Sequence, residues 1–290
     1  MDKLVNTSYK TEDVTILLQN ILDTKEREKL NQSGVHYSEM LPLEYSPTKE
    51  YMNIYKDSLD ELSEDTANAI AIVAEKIYQR KNGREITLVS LARAGTPIGI
   101  LIKHYLEDKY KIEVKHYSIS IIRGKGFDVK AMKEILKSNT PESIQFVDGW
   151  VGKGAIDKVL KDSLKQLNRV IDSKIIEKID SELAVLSDPA SVTSLYGTRQ
   201  DFLIPSACLN ATVSGLISRT VKLKNMTDEE LHGAVYYKDK EQLDVSQQFI
   251  DTVEKHFNNI NLNHFNPSKE ELNEDFKGID EVKKIGKDYN

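Results

Sequence analysis

The stretch that most restricts what this chain can fold into is Gln145-Phe146-Val147-Asp148-Gly149-Trp150-Val151-Gly152-Lys153-Gly154-Ala155-Ile156. A short apolar run ends in an acid, Asp148. The chain then breaks at Gly149, Gly152 and Gly154, and a helical pattern follows at once. This reads as a strand, a glycine loop and a helix start. Glycines let backbone N–H groups approach an anion, and the helix dipole adds partial positive charge there, so the arrangement suits a phosphate. Asp148, at the strand's carboxyl end, is placed to face ribose hydroxyls or a magnesium ion. Two other phosphate loops are excluded by spacing. Gly149 stands too close to Gly152-Lys153 for a Walker loop, which also needs a hydroxyl after its lysine. A dinucleotide fingerprint needs a glycine where Asp157 stands. A glycine-rich turn without a ligand remains the alternative.

The flanking chain alternates between the two periods. Ser63 opens a helical pattern running to about Arg80, and Asn82-Gly83 stops it. Ile86 to Ala92 is a buried strand, followed by a helix with Pro97 near its start. Glu113 to Ile122 is the next strand, ending in Arg123-Gly124-Lys125-Gly126, with a helix near Val129 to Leu136. After the glycine loop a helix runs to about Ile171, and Glu182 to Ser187 is a fourth strand closed by Asp188-Pro189. Such alternation implies an α/β fold with a doubly wound, mostly parallel sheet. Outside this core, Thr11 to Leu22 has a short helical spacing, Ala234 to Tyr237 suits an edge strand, Val245 to Phe257 suits a helix, and Ser268 starts a capping box. The expected organisation is an N-terminal cover over residues 1–62, a core with the cysteine-bearing segment over 63–225, and a helical C-terminal extension over 226–290.

In such sheets ligands bind beyond the carboxyl ends of the strands. Four strand ends carry Arg93 and Gly95, Arg123 and Lys125, Asp148 with Gly152 and Gly154, and Asp188. Two basic loops, an anion loop and two acids would converge on one edge, as a phosphorylated sugar with magnesium requires; scattered surface charge is the other reading.

Forty Lys and Arg against 46 Asp and Glu give a net charge of -6, which excludes a bulk nucleic-acid surface but not a local basic pocket. No window approaches the roughly 18 apolar residues of a membrane span and no signal region opens the chain, so a cytoplasmic protein is expected. The single cysteine, Cys208, excludes an intramolecular disulfide and a Cys-rich metal site. The six histidines form no His-x-x-x-His pair, so neither zinc nor haem is expected.

Phe146 to Ala155 resembles the phosphoribosyl-diphosphate loop of type I phosphoribosyltransferases. Leu88 to Gly95 resembles their diphosphate loop, and Tyr117 to Lys125 falls where their flexible closing loop begins. By that resemblance Arg93, the Ala94–Gly95 backbone, Arg123 and Lys125 would hold diphosphate with magnesium. Asp148 would orient ribose, and Gly149, Gly152, Lys153, Gly154 and Ala155 would hold the 5′-phosphate. Asp188 would lead to a base-contacting segment. The chain departs from the pattern at Gly149, where a second acid is expected, and at Lys153 and Ala155, where hydroxyls are expected.

A longer set of motifs is similar to the StiP family: His36 to Pro42, Ser90 to Pro97, Ile122 to Gly126, Val147 to Ile156, Gly197 to Asn210 and Ser214 to Thr220. That resemblance implies a phosphoribosyltransferase-like core, the label of cysteine protease, and bacterial tellurium-resistance and stress operons. Pro205 and Ser206 read as a helix start with Leu209, Val213, Leu216 and Ile217 on one face. Cys208 would lie in the first turn, where a dipole lowers a thiol pKa. As a nucleophile it needs a base, His36 first, or His116 or His232; as a bland residue it is a small buried hydrophobe. Arg199, Ser206, Asn210, Ser214 and Arg219 suit a wall binding sugar, base or phosphate. The reading on the residues favours a protein that binds phosphorylated ribose or a nucleotide with magnesium. The alternatives are a thiol peptidase built on Cys208 and a non-catalytic nucleotide-sensing subunit. Operon-encoded protein partners or a second copy of the chain are also compatible.

Overall fold

A computed structural model describes residues 4–21, 44–224, 226–260 and 262. His36 and the Ser268 capping box lie outside the described residues.

Among the described residues, β1 (Thr15–Leu17), β3 (Ile86–Ala92), β4 (Val114–Ile122), β6 (Ile144–Trp150), β7 (Leu183–Ser187) and β8 (Tyr196–Thr198) form one sheet in the order β1-β4-β3-β6-β7-β8. Every neighbouring pair on that path is parallel. A seventh strand, β5 (Gly126–Phe127), folds back antiparallel on β4. Two further short strands, β2 (Gln19–Asn20) and β9 (Gly233–Ala234), pair in parallel on their own. The α/β class and mostly parallel sheet read from the alternation are therefore present.

The strands read as continuous apolar runs because both faces are covered. One face, with Ile86, Leu88, Val147 and Leu186, packs under α1 (Lys49–Arg80), α2 (Gly95–Tyr110) and α6 (Ser246–Glu254). The other, with Val89, Leu91, Phe146 and Val185, packs under α3 (Val129–Leu136) and α4 (Ala155–Leu167). A four-residue helix, α5 (Ser173–Ile176), precedes β7. No helix among the described residues is long and apolar enough to cross a membrane.

Three elements differ from the sequence expectation. The first helix begins at Lys49, capped by the Thr48 hydroxyl, and runs unbroken past Ser63. Of the Thr11 to Leu22 stretch expected to be helical, the described part, Thr11 to Ile21, is not: Thr15, Ile16 and Leu17 pair with Tyr117, Ser118 and Ile119 of β4. Pro205 does not start an α-helix. Pro205–Cys208 and Ala211–Val213 are separate 3-10 turns, and Gly215 and Leu216 take positive φ, which ends any helical path.

Candidate active site

The carboxyl ends of β3 and β6 lie side by side, and α2 starts tightly against them. A Cβ at Gly95 would lie 2.6 Å from the Val147 carbonyl oxygen, so this glycine permits helix-to-strand packing. Above these ends runs the chain from Ile204 to Ser214. Its Leu209 and Asn210 line two clefts, one on either side.

The first cleft, about 290 Å³, is bordered by Tyr45, Pro47, Tyr51, Cys208, Asn210 and Lys240. Cys208 is 9% exposed and ends its 3-10 turn. Its Sγ lies 3.5 Å from the Ser58 hydroxyl, which itself donates to the Tyr55 carbonyl at 2.8 Å. Since a serine has one proton to give, the thiol is the donor toward Ser58. The Tyr55 hydroxyl is buried with no hydrogen-bond partner, and burial pushes its pKa up. Cys208 has no α-helix under it, so the helix dipole expected there is missing.

The second cleft, about 280 Å³, is bordered by Arg93, Gly149, Trp150, Ser206, Asn210 and Ser214. It unites six positions expected from sequence: Arg93, Ala94, Gly149, Ser206, Asn210 and Ser214. Asp148 lies at the adjacent strand position. Its carboxyl is enclosed by protein, although the residue keeps some surface. Burial pushes its pKa up to about 7, only partly offset by the Gly149 N–H donating at 2.8 Å.

Arg93 is not an open anion site. It donates to the Glu44 carboxylate at 2.5 Å, the Ile217 carbonyl at 3.1 Å and Asn210 Oδ1 at 2.9 Å. The other Glu44 oxygen accepts from the Ala211 N–H at 3.2 Å. Glu44 thus clamps the chain leading into α1 onto both the β3 end and the cysteine segment.

Other expected ligand groups are also committed elsewhere. Asp188 is fully buried; it accepts from the N–H groups of Val192 and Thr193 and from the Arg199 guanidinium. Arg199 stacks on Tyr196 at 3.5 Å. This pair closes its own loop and makes no wall of either cleft. Arg219 is half-buried and outside both clefts. Arg123 is exposed and Lys125 donates to the Lys222 carbonyl at 2.9 Å; together with Gly124 they make a tight turn between β4 and β5 rather than a long closing loop.

At the glycine loop, Lys153 and Ala155 are exposed and Gly154, at φ 72°, precedes the first turn of α4. That turn holds its own acid, Asp157, ion-paired with Lys161 at 3.0 Å, so the dipole is already complemented. Gly152 lies under the indole: a Cβ there would meet Trp150 Cη2 at 2.2 Å.

The described histidines do not serve Cys208. His116 bonds Ser90 and the Asp13 carbonyl, His232 bonds Ser120, and burial lowers both imidazoles to about 3. His256 bonds Ser63 and His104 bridges Asp13 and Glu254. Among the described residues no group of three or more His, Cys, Asp or Glu is arranged to hold a metal.

A family model described as tellurite-like stress resistance cysteine protease StiP matches residues 7–254. The chain belongs to the StiP family. The protein called Cysteine protease StiP from Acinetobacter baylyi is 37% identical to it over 260 residues, covering 85% of this chain and 66% of that protein. The chain thus spans just under two thirds of that relative's length. No solved structure matches it.

Within this StiP-family chain, the sequence reading gave no role to Tyr55, Ser58 and Lys240, and placed Glu44 only within the N-terminal cover. Glu44 had a signal, its place in the Glu44-Tyr45-Ser46-Pro47 motif before the helix cap. Ser58 and Tyr55 sit in a polar helix half with no apolar period to expose it, and Lys240 lies in a charged run.

Proposed function

We propose that this chain is a thiol peptidase with Cys208 as its nucleophile. The observation carrying the proposal is that the chain's one cysteine lies on the wall of a cleft, with its sulfur 3.5 Å from the Ser58 hydroxyl. Membership of a family described as a cysteine protease supports it. The Cys208 sulfur would attack a peptide carbonyl carbon. The C–N bond breaks, the amine leaves with a proton, and water then hydrolyses the thioester. The base we assign is His36. Glu44 follows it by eight residues, a span of at most about 29 Å, and Glu44 is anchored to Ala211, three residues from Cys208. A free thiol suits a reducing compartment, so a cytoplasmic setting belongs to the proposal. Cleavage of unfolded casein should disappear in Cys208→Ala and in His36→Ala while both variants stay folded. Undiminished cleavage in Cys208→Ala would end the proposal.

A second reading rests on the second cleft, where Arg93, Trp150, Ser206, Asn210 and Ser214 surround one space beside Asp148. It would take a phosphorylated ribose or a nucleotide, as substrate or as sensed ligand, in a phosphoribosyltransferase-like manner. Asp148 alone does not make a magnesium site, so the ion would rest mainly on the ligand's phosphates. Calorimetric titration of phosphoribosyl diphosphate with magnesium should then give binding that Asp148→Asn abolishes; no heat with the wild type would reject it.

A further inference from the structure

The first cleft contains a buried cation with little to neutralise it. Lys240 sits in the 3-10 turn Lys238–Leu243, is 7% exposed, and borders the same space as Cys208. Its ammonium reaches the Ser46 hydroxyl at 3.3 Å and the Asp239 carboxylate at 3.4 Å, and stands 5.6 Å from the Tyr237 ring. The Asp239 side chain is 72% exposed, and an ion pair that long to a solvated carboxylate neutralises little. The acid that borders this cleft, Glu44, has both oxygens engaged, one by Arg93 and one by the Ala211 N–H. Tyr45, Pro47, Tyr51 and Leu209 supply apolar wall.

A cleft with apolar sides, one buried ammonium and a thiol on its edge suits a short apolar group ending in a carboxylate. We propose that this cleft takes a carboxylate-bearing part of the substrate, with Lys240 as the residue that selects it. The inference rests on the peptidase reading for its meaning. The peptides preferred would carry either an acidic side chain beside the scissile bond or a free C-terminal carboxylate.

The test uses the chain's only thiol as its reporter. Iodoacetate and iodoacetamide are similar in size and share a leaving group, but only the first carries a carboxylate. The ratio of their alkylation rates at Cys208, divided by the same ratio for an unstructured cysteine peptide, should exceed one by about fivefold, the equivalent of roughly 1 kcal/mol for a partly screened charge pair. Lys240→Met should return the ratio to about one, Lys240→Arg should retain the preference, and high salt should weaken it. The proposal is overturned if the wild-type ratio equals that of Lys240→Met, or if neither reagent reaches the thiol in the folded chain. Labelling needs no turnover, so the two readings fail separately. A chain without peptidase activity that keeps the preference retains the carboxylate site, whereas an active chain without it loses only the site. Substrate peptides with a glutamate and a blocked C-terminus, set against neutral ones with a free C-terminus, distinguish the two sources.

Discussion

Asp148→Asn isolates the electrostatic cost of placing an acid at the carboxyl end of β6. Burial raises its carboxyl from 3.8 to about 7, with one backbone N–H offsetting part of the rise. A proton is therefore held more tightly in the folded chain than in the unfolded one. The stability linked to that proton is fully present below the unfolded value and is lost as pH rises through the folded value. A shift of about three units corresponds to about 4 kcal/mol, and because the residue keeps some surface we expect about 2 kcal/mol. The Asn side chain can keep the bond from the Gly149 N–H but carries no charge, so its stability should lack this pH dependence. Urea unfolding of both proteins at intervals from pH 4 to 8.5 gives the difference directly, and subtraction cancels the other titrating groups. Asp148→Asn should gain about 2 kcal/mol relative to wild type across that window, mostly between pH 4 and 7. A difference that does not vary with pH, or a variant that loses ground as pH rises, would refute the reasoning.

Other contacts lead to further expectations. Glu44→Gln leaves the partly buried Arg93 guanidinium without its anion and should cost about 2–3 kcal/mol in urea unfolding, with Arg93→Gln in the same chain recovering part of the loss. His104 is bridged by Asp13 and Glu254. Burial alone would lower its pKa, but the two carboxylates outweigh it and hold the imidazole above its ordinary value. Its contribution is thus present at pH 5.5 and lost as pH rises through the raised value. His104→Gln should be less stable by about 1 kcal/mol at pH 5.5, with a narrower gap at pH 9. Trp150 is the chain's only tryptophan, and Gly152→Ala would drive a methyl group into its ring. The emission spectrum should shift in that variant and stay unchanged in Gly149→Ala, where a Cβ meets only ordinary contacts.

The core was legible because its signals are local. Ile86 to Ala92 reads as a strand from its apolar run alone, and Asp128 capping Val129–Leu136 gives that helix a start. Other errors came from partners remote in sequence. Val14, Leu17 and Leu18 fit a helical stripe, yet β4, about a hundred residues later, supplies the ladder that makes this segment a strand. The stripe from Leu209 to Ile217 also read as helical, but its residues are buried along an irregular path of two 3-10 turns followed by positive φ at Gly215 and Leu216. The charges at the strand ends go to different places. Arg93 does reach the second cleft, whereas Asp188 and Arg199 satisfy each other. No periodicity reports such pairing, nor could it bring Ser58 and Lys240 to Cys208.

In the proposed peptidase reaction Cys208 carries the acyl group during cleavage. Acid-quenching the full chain within the first turnovers of a cleaved peptide, followed by mass mapping, tests it most directly. The acyl mass is expected as a thioester on the Cys208 peptide and should be absent from Cys208→Ala, which should cleave nothing. Peptide cleavage that persists in Cys208→Ala, or an acyl mass on any other residue, would contradict it.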